Sequence, residues 1–349
     1  MFSKFDNDLF LNFFNNSFKK LKNKIFFITG ATGFVGTWIL GALLFANDNF
    51  SLNIKIYILS RNPKLFQSSN IYIANHPSVV FIKGDIRKSL NTKTLSQLPD
   101  QFDYFIHAAC DLSSKISPLD MFEICTLGTK KILDLAKLIK VKEFLLISSG
   151  AVYGSQPDNI NALSECYLGN LNWKDGDSFA YGLGKINSEW ITKEYSNKKY
   201  FKTKIARCFA FVGPYMKMDK NFAIGNFIKD AAEGKNIKVK GDGRPIRTYL
   251  YAGELSIWLL EILINSKENS IYNVGGSEEI SIFNLAKKIT NLINPKLSVI
   301  VSNSNTFANK SNKYIPDINL IKKELNLTPK IDLEQSIIQT YEWYVSSKC

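Results

Sequence analysis

Tyr181 and Lys185 are the first residues whose types and spacing could do chemistry. They are four positions apart in the segment Tyr181-Gly182-Leu183-Gly184-Lys185, inside a predicted helix over residues 181–195. Residues at this spacing lie on one face of a helix. A tyrosine with its ordinary pKa of about 10 transfers protons poorly at neutral pH, and a nearby cation favours the phenolate. The pair is therefore a candidate for proton transfer, although such pairs also occur by chance on helix surfaces.

A glycine-rich turn, Gly30-Ala31-Thr32-Gly33-Phe34-Val35-Gly36, follows the first predicted strand and opens a predicted helix. Glycines at positions i, i+3 and i+6 suit a tight turn, the close approach of a pyrophosphate, and close packing of the helix on the strand. The free N–H groups and positive dipole end of the helix attract phosphate. The turn therefore predicts a bound dinucleotide.

Short β-rich apolar runs alternate with longer helical stretches from residue 24 onward. The predicted strands cover residues 24–29, 54–59, 79–83, 104–107, 143–148 and 203–206. The predicted helices cover residues 34–45, 119–139 and 181–195. This alternation is typical of a parallel sheet covered by helices on both faces. It predicts an α/β protein with a Rossmann-type doubly wound parallel sheet.

After about residue 207 the regular alternation of strands and long helices ends. Gly and Pro separate shorter elements there, and the last element is a predicted helix near residues 333–345. We expect a smaller mixed α/β C-terminal substrate domain there. The predicted division is an N-terminal helical extension over residues 1–22, a dinucleotide-binding Rossmann domain over 23–206, and the C-terminal domain over 207–349. The second boundary is approximate, because elements from the C-terminal region can also form part of the first domain.

The N-terminal extension carries apolar residues at helical spacing, namely Phe5, Leu9, Phe10, Phe13 and Phe14. It lacks the continuous apolar segment and small-residue cleavage site of a signal peptide. We interpret it as an amphipathic helix packed on the following domain. A peripheral membrane anchor is the alternative.

Charge and composition argue against nucleic acid, a membrane span and a metal ion. The net charge of +13 comes from lysines scattered through the chain, which favours a solvated basic surface over a nucleic-acid site. No apolar stretch approaches the roughly 20 residues of a membrane span. Five widely spaced cysteines and only two histidines fit a reducing cytoplasm and no metal site. We therefore expect a cytoplasmic protein without nucleic acid, membrane span or metal.

The GxxGxxG turn and the downstream Tyr-x-x-x-Lys pattern together resemble the extended short-chain dehydrogenases/reductases, also called the NAD-dependent epimerase/dehydratase family. The resemblance covers nearly everything from Lys24 to the C-terminal region. The segment over residues 144–154 resembles the family's serine/threonine strand end, with Ser149 at the hydroxyl that orients the reacting oxygen. The resemblance implies that Tyr181 exchanges a proton with a sugar hydroxyl or carbonyl. It also implies that Lys185 tunes Tyr181 and holds the nicotinamide ribose.

Other segments that resemble the family imply further contacts. Asp85-Ile86 corresponds to the adenine-contacting pair, and Ala108-Ala109 to small residues that let the dinucleotide lie close to the sheet, beside a structural His107. Residues 205–214 resemble the strand and turn beside the nicotinamide, and the loop over 241–249 resembles the nucleotide-sugar loop. The implied cofactor-binding set is Gly30, Thr32, Gly33, Phe34, Val35, Gly36, Ser60, Arg61, Asp85, Ile86, Ala108, Ala109, Ser148, Tyr181, Lys185 and Phe209. The implied substrate-binding set is Ser149, Asn221 and Arg247, with Arg247 gripping the diphosphate.

Ser60 and Arg61 follow the second predicted strand, where an acidic residue normally meets the ribose of NAD. A hydroxyl and a guanidinium suit a 2′-phosphate instead. The sequence therefore favours NADP(H) over NAD(H). The alternative is a solvated Arg61 and bound NAD.

Four positions depart from the family pattern. The dehydratases of the family carry an Asp-Glu pair directly after the Ser149 equivalent, and the decarboxylases keep the Glu. Here Gly150 and Ala151 occupy those positions and cannot act as acid or base. Cys125 and Ala210 replace two asparagines that the family often places near its active site, which indicates a reshaped sugar pocket.

The resemblance thus implies a nucleotide-sugar-modifying oxidoreductase, and two hydride chemistries remain. The first is a 4-ketoreductase acting on an NDP-4-keto-6-deoxyhexose, and the alternative is an NDP-sugar 4-epimerase. Dehydratase and decarboxylase activities are disfavoured, and a non-catalytic nucleotide-sugar sensor is a remote alternative. The family usually dimerises through the helices over residues 119–139 and 181–195, so we expect a homodimer.

Overall fold

The computed structural model of the chain describes residues 2–14, 18–69, 71–110, 116–218, 222–302 and 313–348. The strands are β1 Ile25–Thr29, β2 Lys55–Ser60, β3 Val79–Lys83, β4 Phe102–His107, β5 Val141–Ser149, β6 Lys202–Cys208, β7 Phe211–Val212, β8 Ile237–Val239, β9 Ile246–Arg247, β10 Leu250–Tyr251, β11 Ser270–Val274, β12 Ile280–Ser281, β13 Val299–Val301 and β14 Lys313–Tyr314. The α-helices are α1 Lys4–Phe14, α2 Phe34–Phe50, α3 Pro63–Ser69, α4 Ile71–Ala74, α5 Thr92–Leu95, α6 Pro118–Glu123, α7 Thr129–Leu138, α8 Asp177–Asn197, α9 Ala223–Ala232, α10 Ala252–Asn265, α11 Ile282–Ile293, α12 Asn319–Leu325 and α13 Leu333–Ser346. Short 3₁₀ turns cover Phe18–Leu21, Gly150–Tyr153 and Trp173–Asp175.

The main sheet has seven parallel strands in the order β11-β6-β5-β4-β1-β2-β3. The predicted Rossmann-type sheet is confirmed, and each predicted strand is present with ends shifted by at most a few residues. The strand order reverses between β1 and β4. In open α/β sheets, ligands bind in the crevice at the carboxyl ends of the strands next to such a reversal.

Helices cover both faces of this sheet. On one face, α2 and α10 pack together through fully buried side chains such as Trp38 and Leu259. On the other face, α7 and α8 cover a column of stacked rings in which Phe105 lies 4.7 Å from Phe27 and 5.1 Å from Phe144, centroid to centroid. Because helices bury both faces of the sheet, its parallel strands are continuous apolar runs in the sequence.

The helix predicted over residues 119–139 is interrupted. It consists of α6, a π-helical turn over Ile124–Gly128, and α7. A single π turn inserts one extra residue into a helix and is often found at functional sites. Periodicity alone could not predict it, because the apolar spacing on either side is that of an ordinary helix. The turn contains Cys125, which is buried.

The residues after β6 build a smaller layer and also return to the main sheet. Strand β11 pairs with β6 as its edge, whereas β8 pairs with β13, and β9 lies between β12 and β14. A separate apolar cluster lies under α9, α11 and α13, with Phe227 and Ile289 among its buried members. The layer places β9 and β14 beside the carboxyl end of β5, as the hydrogen bonds of the site show below.

The N-terminal segment forms α1, which packs against α2 and α10. Its Phe10 is fully buried, and its Asp6 accepts a hydrogen bond of 2.5 Å from the hydroxyl of Tyr251 at the end of β10. The Phe5 ring packs edge-on against Tyr251 at 5.8 Å. The helix therefore buries its apolar face on the fold, as its spacing predicted. Across the described residues, every helix is too short or too polar to cross a bilayer.

Candidate active site

The glycine turn forms an open cradle between β1 and α2. Gly30 has φ +76°, and a β-carbon there would lie 2.5 Å from the backbone of Ala108, just after the end of the neighbouring strand β4. A β-carbon on Gly36 would lie 2.1 Å from the carbonyl oxygen of Gly30. Around Gly33, by contrast, the nearest atom would be 3.4 Å away, so this side of the turn is open at the start of α2. The cradle thus fits a pyrophosphate, which the N–H groups of the first helical turn would bind.

The ends of β2 and β3 carry the side chains predicted to meet the adenosine. Ser60 is buried and Arg61 is exposed. The Arg87 guanidinium donates to both oxygens of the Asp85 carboxylate, with distances of 2.7 to 3.2 Å, and holds the pKa of that carboxyl below its usual range. The positive charge of Arg61 acts on Asp85 in the same direction. Two guanidinium groups therefore lie around one carboxylate at this end of the crevice.

The end of β4 approaches the glycine turn closely. The Ala108 amide donates to the Thr29 carbonyl at 3.1 Å, and both Ala108 and Ala109 are partly exposed. His107 is buried between the hydroxyls of Thr29 and Thr129, at 2.7 and 3.2 Å from its two ring nitrogens. Burial lowers the pKa of His107 to about 3, so the ring is neutral. Its contacts are those of a structural residue.

Ser149, Tyr181 and Lys185 meet at the carboxyl end of β5. The Tyr181 phenol lies beside the Ser149 hydroxyl, which acts to lower the pKa of the phenol. The Lys185 ammonium is buried, donates to the Ile147 carbonyl at 2.9 Å, and lies 5.9 Å from the Tyr181 ring centroid. Two glycines in the same segment allow this approach, because a β-carbon on Gly182 would lie 2.6 Å from the Ala151 carbonyl and one on Gly184 would lie 2.7 Å from the Cys125 β-carbon.

Burial dominates the proton affinity of the tyrosine. It raises the pKa of Tyr181 well above its usual range, whereas the neighbouring Ser149 hydroxyl acts in the opposite direction. The Lys185 ammonium is engaged by a carbonyl of β5, so its tuning of Tyr181 stays a prediction. A protonated phenol suits the donation of a proton to an oxygen that gains negative charge.

Tyr314 is a site residue that the sequence did not reveal. Its phenol lies beside the Ser149 hydroxyl, and its ring centroid lies 4.6 Å from that of Phe209. It belongs to β14, which is only two residues long and runs parallel to β9 with Tyr314 opposite Arg247. The only signal in the sequence was its aromatic character, which other tyrosines share. Its role depends on tertiary pairing.

Gly150 lies directly beneath Tyr314 and Phe209. A β-carbon on Gly150 would be 2.5 Å from the Tyr314 hydroxyl oxygen and 2.9 Å from the Phe209 ring. The side chains of Tyr314 and Phe209 therefore occupy the space that a longer side chain at position 150 would need. This packing agrees with the absence of an acidic residue there.

Of three other predicted site residues, one lies near the site, one is engaged away from the crevice and one lies outside the described residues. Arg247 lies with its guanidinium 5.8 Å from the Tyr314 ring centroid, and burial lowers its pKa. The Ser148 hydroxyl donates to Glu189 at 2.5 Å inside the protein, so its side chain is already engaged away from the crevice. Asn221 lies outside the described residues.

Two thiols adjoin the catalytic candidates. The sulfur atoms of Cys110 and Cys125 are 3.9 Å apart, and this contact, together with burial, raises the pKa of Cys125. Cys125 thus gives the pocket wall a neutral thiol where an amide was expected from the family pattern. Within the described residues, no group of three His, Cys, Asp or Glu side chains is arranged to hold a metal ion.

Known proteins resemble this chain in sequence and in fold. The NAD dependent epimerase/dehydratase family model matches residues 26–275. UDP-glucuronic acid decarboxylase 1 of Arabidopsis thaliana is 28% identical over 313 residues, which cover 89% of this chain and 67% of that protein. UDP-glucose 4-epimerase of Thermotoga maritima, solved with UDP-glucose, is 19% identical with a TM-score of 0.79, covering 93% of this chain and 100% of that one.

A second solved structure is UDP-glucuronic acid 4-epimerase of Bacillus cereus in complex with UDP-glucuronic acid and NAD. It is 21% identical with a TM-score of 0.77, covering 93% of this chain and 99% of that one. At these identities the two structures show the shared fold. The family model covers most of the chain, including the glycine turn and the Tyr181–Lys185 helix. The chain therefore belongs to the NAD-dependent epimerase/dehydratase family.

Proposed function

We propose that this protein is an NAD(P)-dependent enzyme that reduces the 4-keto group of a nucleoside-diphosphate hexose. One observation carries the proposal. The Ser149 hydroxyl lies beside the phenols of Tyr181 and Tyr314, while positions 150 and 151 offer no carboxylate for dehydration or decarboxylation. A site with hydroxyl groups but no such acid suits the addition of a proton to a carbonyl oxygen.

Each residue has a defined part in this reaction. The bound dinucleotide would supply hydride to the carbonyl carbon. Tyr181, kept protonated by burial, gives its proton to the carbonyl oxygen as that oxygen becomes a hydroxyl. Ser149 donates a hydrogen bond to the same oxygen and stabilises the charge that develops on it. The buried Lys185 ammonium, held by the Ile147 carbonyl, adds positive charge behind Tyr181.

The substrate class rests on the relatives and on Arg247. The two epimerase structures were solved with UDP-sugars, and a guanidinium suits a diphosphate. Arg247 lies opposite Tyr314, so a diphosphate bound to it would lie near the hydroxyls that meet the sugar. Asn221 remains a weaker prediction for a sugar or phosphate contact.

For the cofactor we propose NADP(H) rather than NAD(H). The support is the hydroxyl of Ser60 together with the exposed guanidinium of Arg61 at the end of β2. A 2′-phosphate carries the negative charge that such a cluster attracts. The Bacillus cereus epimerase was solved with NAD, so the preference proposed here would separate this chain from that protein.

A 4-epimerase is the second candidate function. It is favoured by the names of the two solved relatives, and it needs the same hydroxyl groups. An epimerase oxidises and re-reduces C4 and so leaves the cofactor unchanged overall. The decarboxylase activity named for the Arabidopsis relative is less compatible, because Ala151 stands where that chemistry has a carboxylate.

A panel of sugar nucleotides and their 4-keto derivatives tests the proposal. The purified protein is incubated with each compound and with NADPH or NADH, and the products are identified by mass spectrometry while the absorbance of reduced nicotinamide is followed. Net oxidation of the reduced cofactor with a 4-keto sugar supports the reductase. Isomerisation of a sugar nucleotide without net oxidation would establish the epimerase instead, and no conversion of any compound would contradict both.

We also propose that the protein forms a homodimer through α6, α7 and α8. Four large apolar side chains on these helices and the π turn between them are more than half exposed, namely Leu119, Leu127, Leu138 and Trp190. Exposed apolar side chains on adjoining helices suit a surface that a second copy of the chain would cover. Leu127→Glu should shift sedimentation from dimer to monomer, whereas Leu65→Glu on α3 should not. A wild-type monomer would contradict the proposal.

A further inference from the structure

A buried ion pair joins the catalytic helix to the sheet beside Ser149. Arg207 on β6 donates to both carboxylate oxygens of Glu189 on α8, with distances of 2.7 and 3.0 Å. Glu189 also accepts the Ser148 hydroxyl at 2.5 Å. Ser148 is the neighbour of Ser149, and Glu189 lies one helical turn beyond Lys185. The pair therefore fixes how α8 lies along the end of β5.

Tyr153 extends this pair toward the other side of the site. Its hydroxyl accepts a hydrogen bond of 2.9 Å from Arg207 and donates one of 2.8 Å to the Asn273 side chain on β11. Burial raises the pKa of Tyr153 to about 12, so the phenol keeps the proton that it donates. Tyr153 is fully buried. Its hydroxyl is thus the junction between Arg207 and Asn273.

Asn273 holds the segment that follows Tyr314. Its side-chain amide donates to the carbonyls of Leu163 at 2.7 Å and of Asp317 at 3.1 Å. The Leu163 backbone in turn bonds Ile315, donating to its carbonyl at 2.8 Å. Ile315 is the residue after Tyr314. The chain of hydrogen bonds therefore runs from the helix that carries Tyr181 to the strand that carries Tyr314.

We propose that Glu189, Arg207, Tyr153 and Asn273 form one positioning network that holds the two phenols on either side of Ser149. The proposal rests on the proposed function, since it assigns these residues the geometry of that reaction. The physical reason is that Tyr181 and Tyr314 come from separate layers, whose relative position must be kept to a fraction of an ångström for proton transfer. Buried charges with every partner satisfied resist displacement, because each lost partner leaves an unpaired charge or polar group.

Tyr153→Phe tests the network with the smallest change, because it removes only the junction hydroxyl. Tyr272→Phe is the matched control: Tyr272 is the residue before Asn273, is also buried, and donates a hydrogen bond of 2.6 Å to Glu324 away from the site. We expect Tyr153→Phe to lower kcat by about tenfold or more, since small displacements of reacting groups have effects of this size. The control should stay within about twofold of the wild type, while both variants lose similar free energy of unfolding.

The pH profile separates positioning from general loss of structure. The Ser149 hydroxyl acts to lower the pKa of Tyr181, so a shifted Ser149 should move the alkaline limb of the kcat profile upward in Tyr153→Phe and leave it unchanged in Tyr272→Phe. If Tyr153→Phe proves poorly folded, the double variant Glu189→Gln/Arg207→Gln removes both charges together and takes its place. We expect that double variant to show the same loss of kcat and the same shift.

Two outcomes would overturn the network and one would overturn the function instead. Equal kcat and equal pH profiles for Tyr153→Phe and Tyr272→Phe would contradict positioning. So would a loss of kcat that is fully explained by the fraction of unfolded protein, as calculated from urea unfolding. Wild-type protein that converts no sugar nucleotide would contradict the proposed function. The two failures are therefore distinguishable.

Discussion

Tyr314 stands over Gly150 so closely that a β-carbon on the glycine would lie 2.5 Å from the tyrosine hydroxyl oxygen. Because of this close contact, the residue type at each of the two positions depends on the other. A glycine at position 150 leaves room for the phenol, and the phenol fills the space where a carboxylate would stand. The Tyr314 hydroxyl also lies beside Ser149, so a hydroxyl group replaces an acid at this point of the site.

The first prediction concerns the cofactor. Arg61→Ala should raise the KM for NADPH by about tenfold, because a guanidinium–phosphate contact of about 1.4 kcal/mol or more is lost. The KM for NADH should change little, since that cofactor lacks the 2′-phosphate. Lys64→Ala, which removes a nearby exposed positive charge on α3, is the control. Equal changes for both cofactors in Arg61→Ala would contradict a 2′-phosphate site.

The second prediction concerns the N-terminal helix. Phe10 is fully buried against Trp38 and Phe45, so Phe10→Ala should lower the free energy of unfolding by about 3–5 kcal/mol. Leu11→Ala on the same helix removes a side chain that is 39% exposed and should cost less than about 1 kcal/mol. Urea unfolding measures both. Similar small losses would show that α1 is not part of the folded core.

The third prediction concerns Glu254 at the start of α10. Its buried carboxyl accepts the backbone N–H groups of Lys330 and Ile331 at 2.6 and 3.2 Å, and burial raises its pKa to about 7. The folded protein then holds a proton that the unfolded chain releases at lower pH. This contribution to stability is therefore complete below pH 4.5, the usual value, and is lost as the pH rises through about 7.

Glu254→Gln removes that titration. Between pH 4.5 and pH 7 and above, the wild type should lose up to about 3 kcal/mol of unfolding free energy relative to the variant. Urea unfolding at several pH values measures the difference. Parallel curves for the two proteins would contradict a raised pKa at Glu254.

The sequence predicted the parts of the site that local patterns encode. The glycine turn could be predicted because glycines at this spacing allow a tight turn, the approach of a phosphate and close packing of the helix on the strand. The Tyr181–Lys185 pair could be predicted because residues four apart lie on one face of a helix. Tyr314 could not be predicted, since its place depends on a two-residue strand paired with β9. Nor could the inward turn of Ser148, which follows from the buried Glu189–Arg207 pair.

The most direct test of the account is the turnover of Tyr181→Phe. This variant loses only the phenol hydroxyl, so kcat on the wild-type substrate should fall by about a hundredfold or more while substrate affinity stays within a few-fold. Tyr195→Phe, on the same helix but bonded to Asp134, should keep wild-type kcat. Wild-type turnover in Tyr181→Phe would contradict proton transfer by this residue.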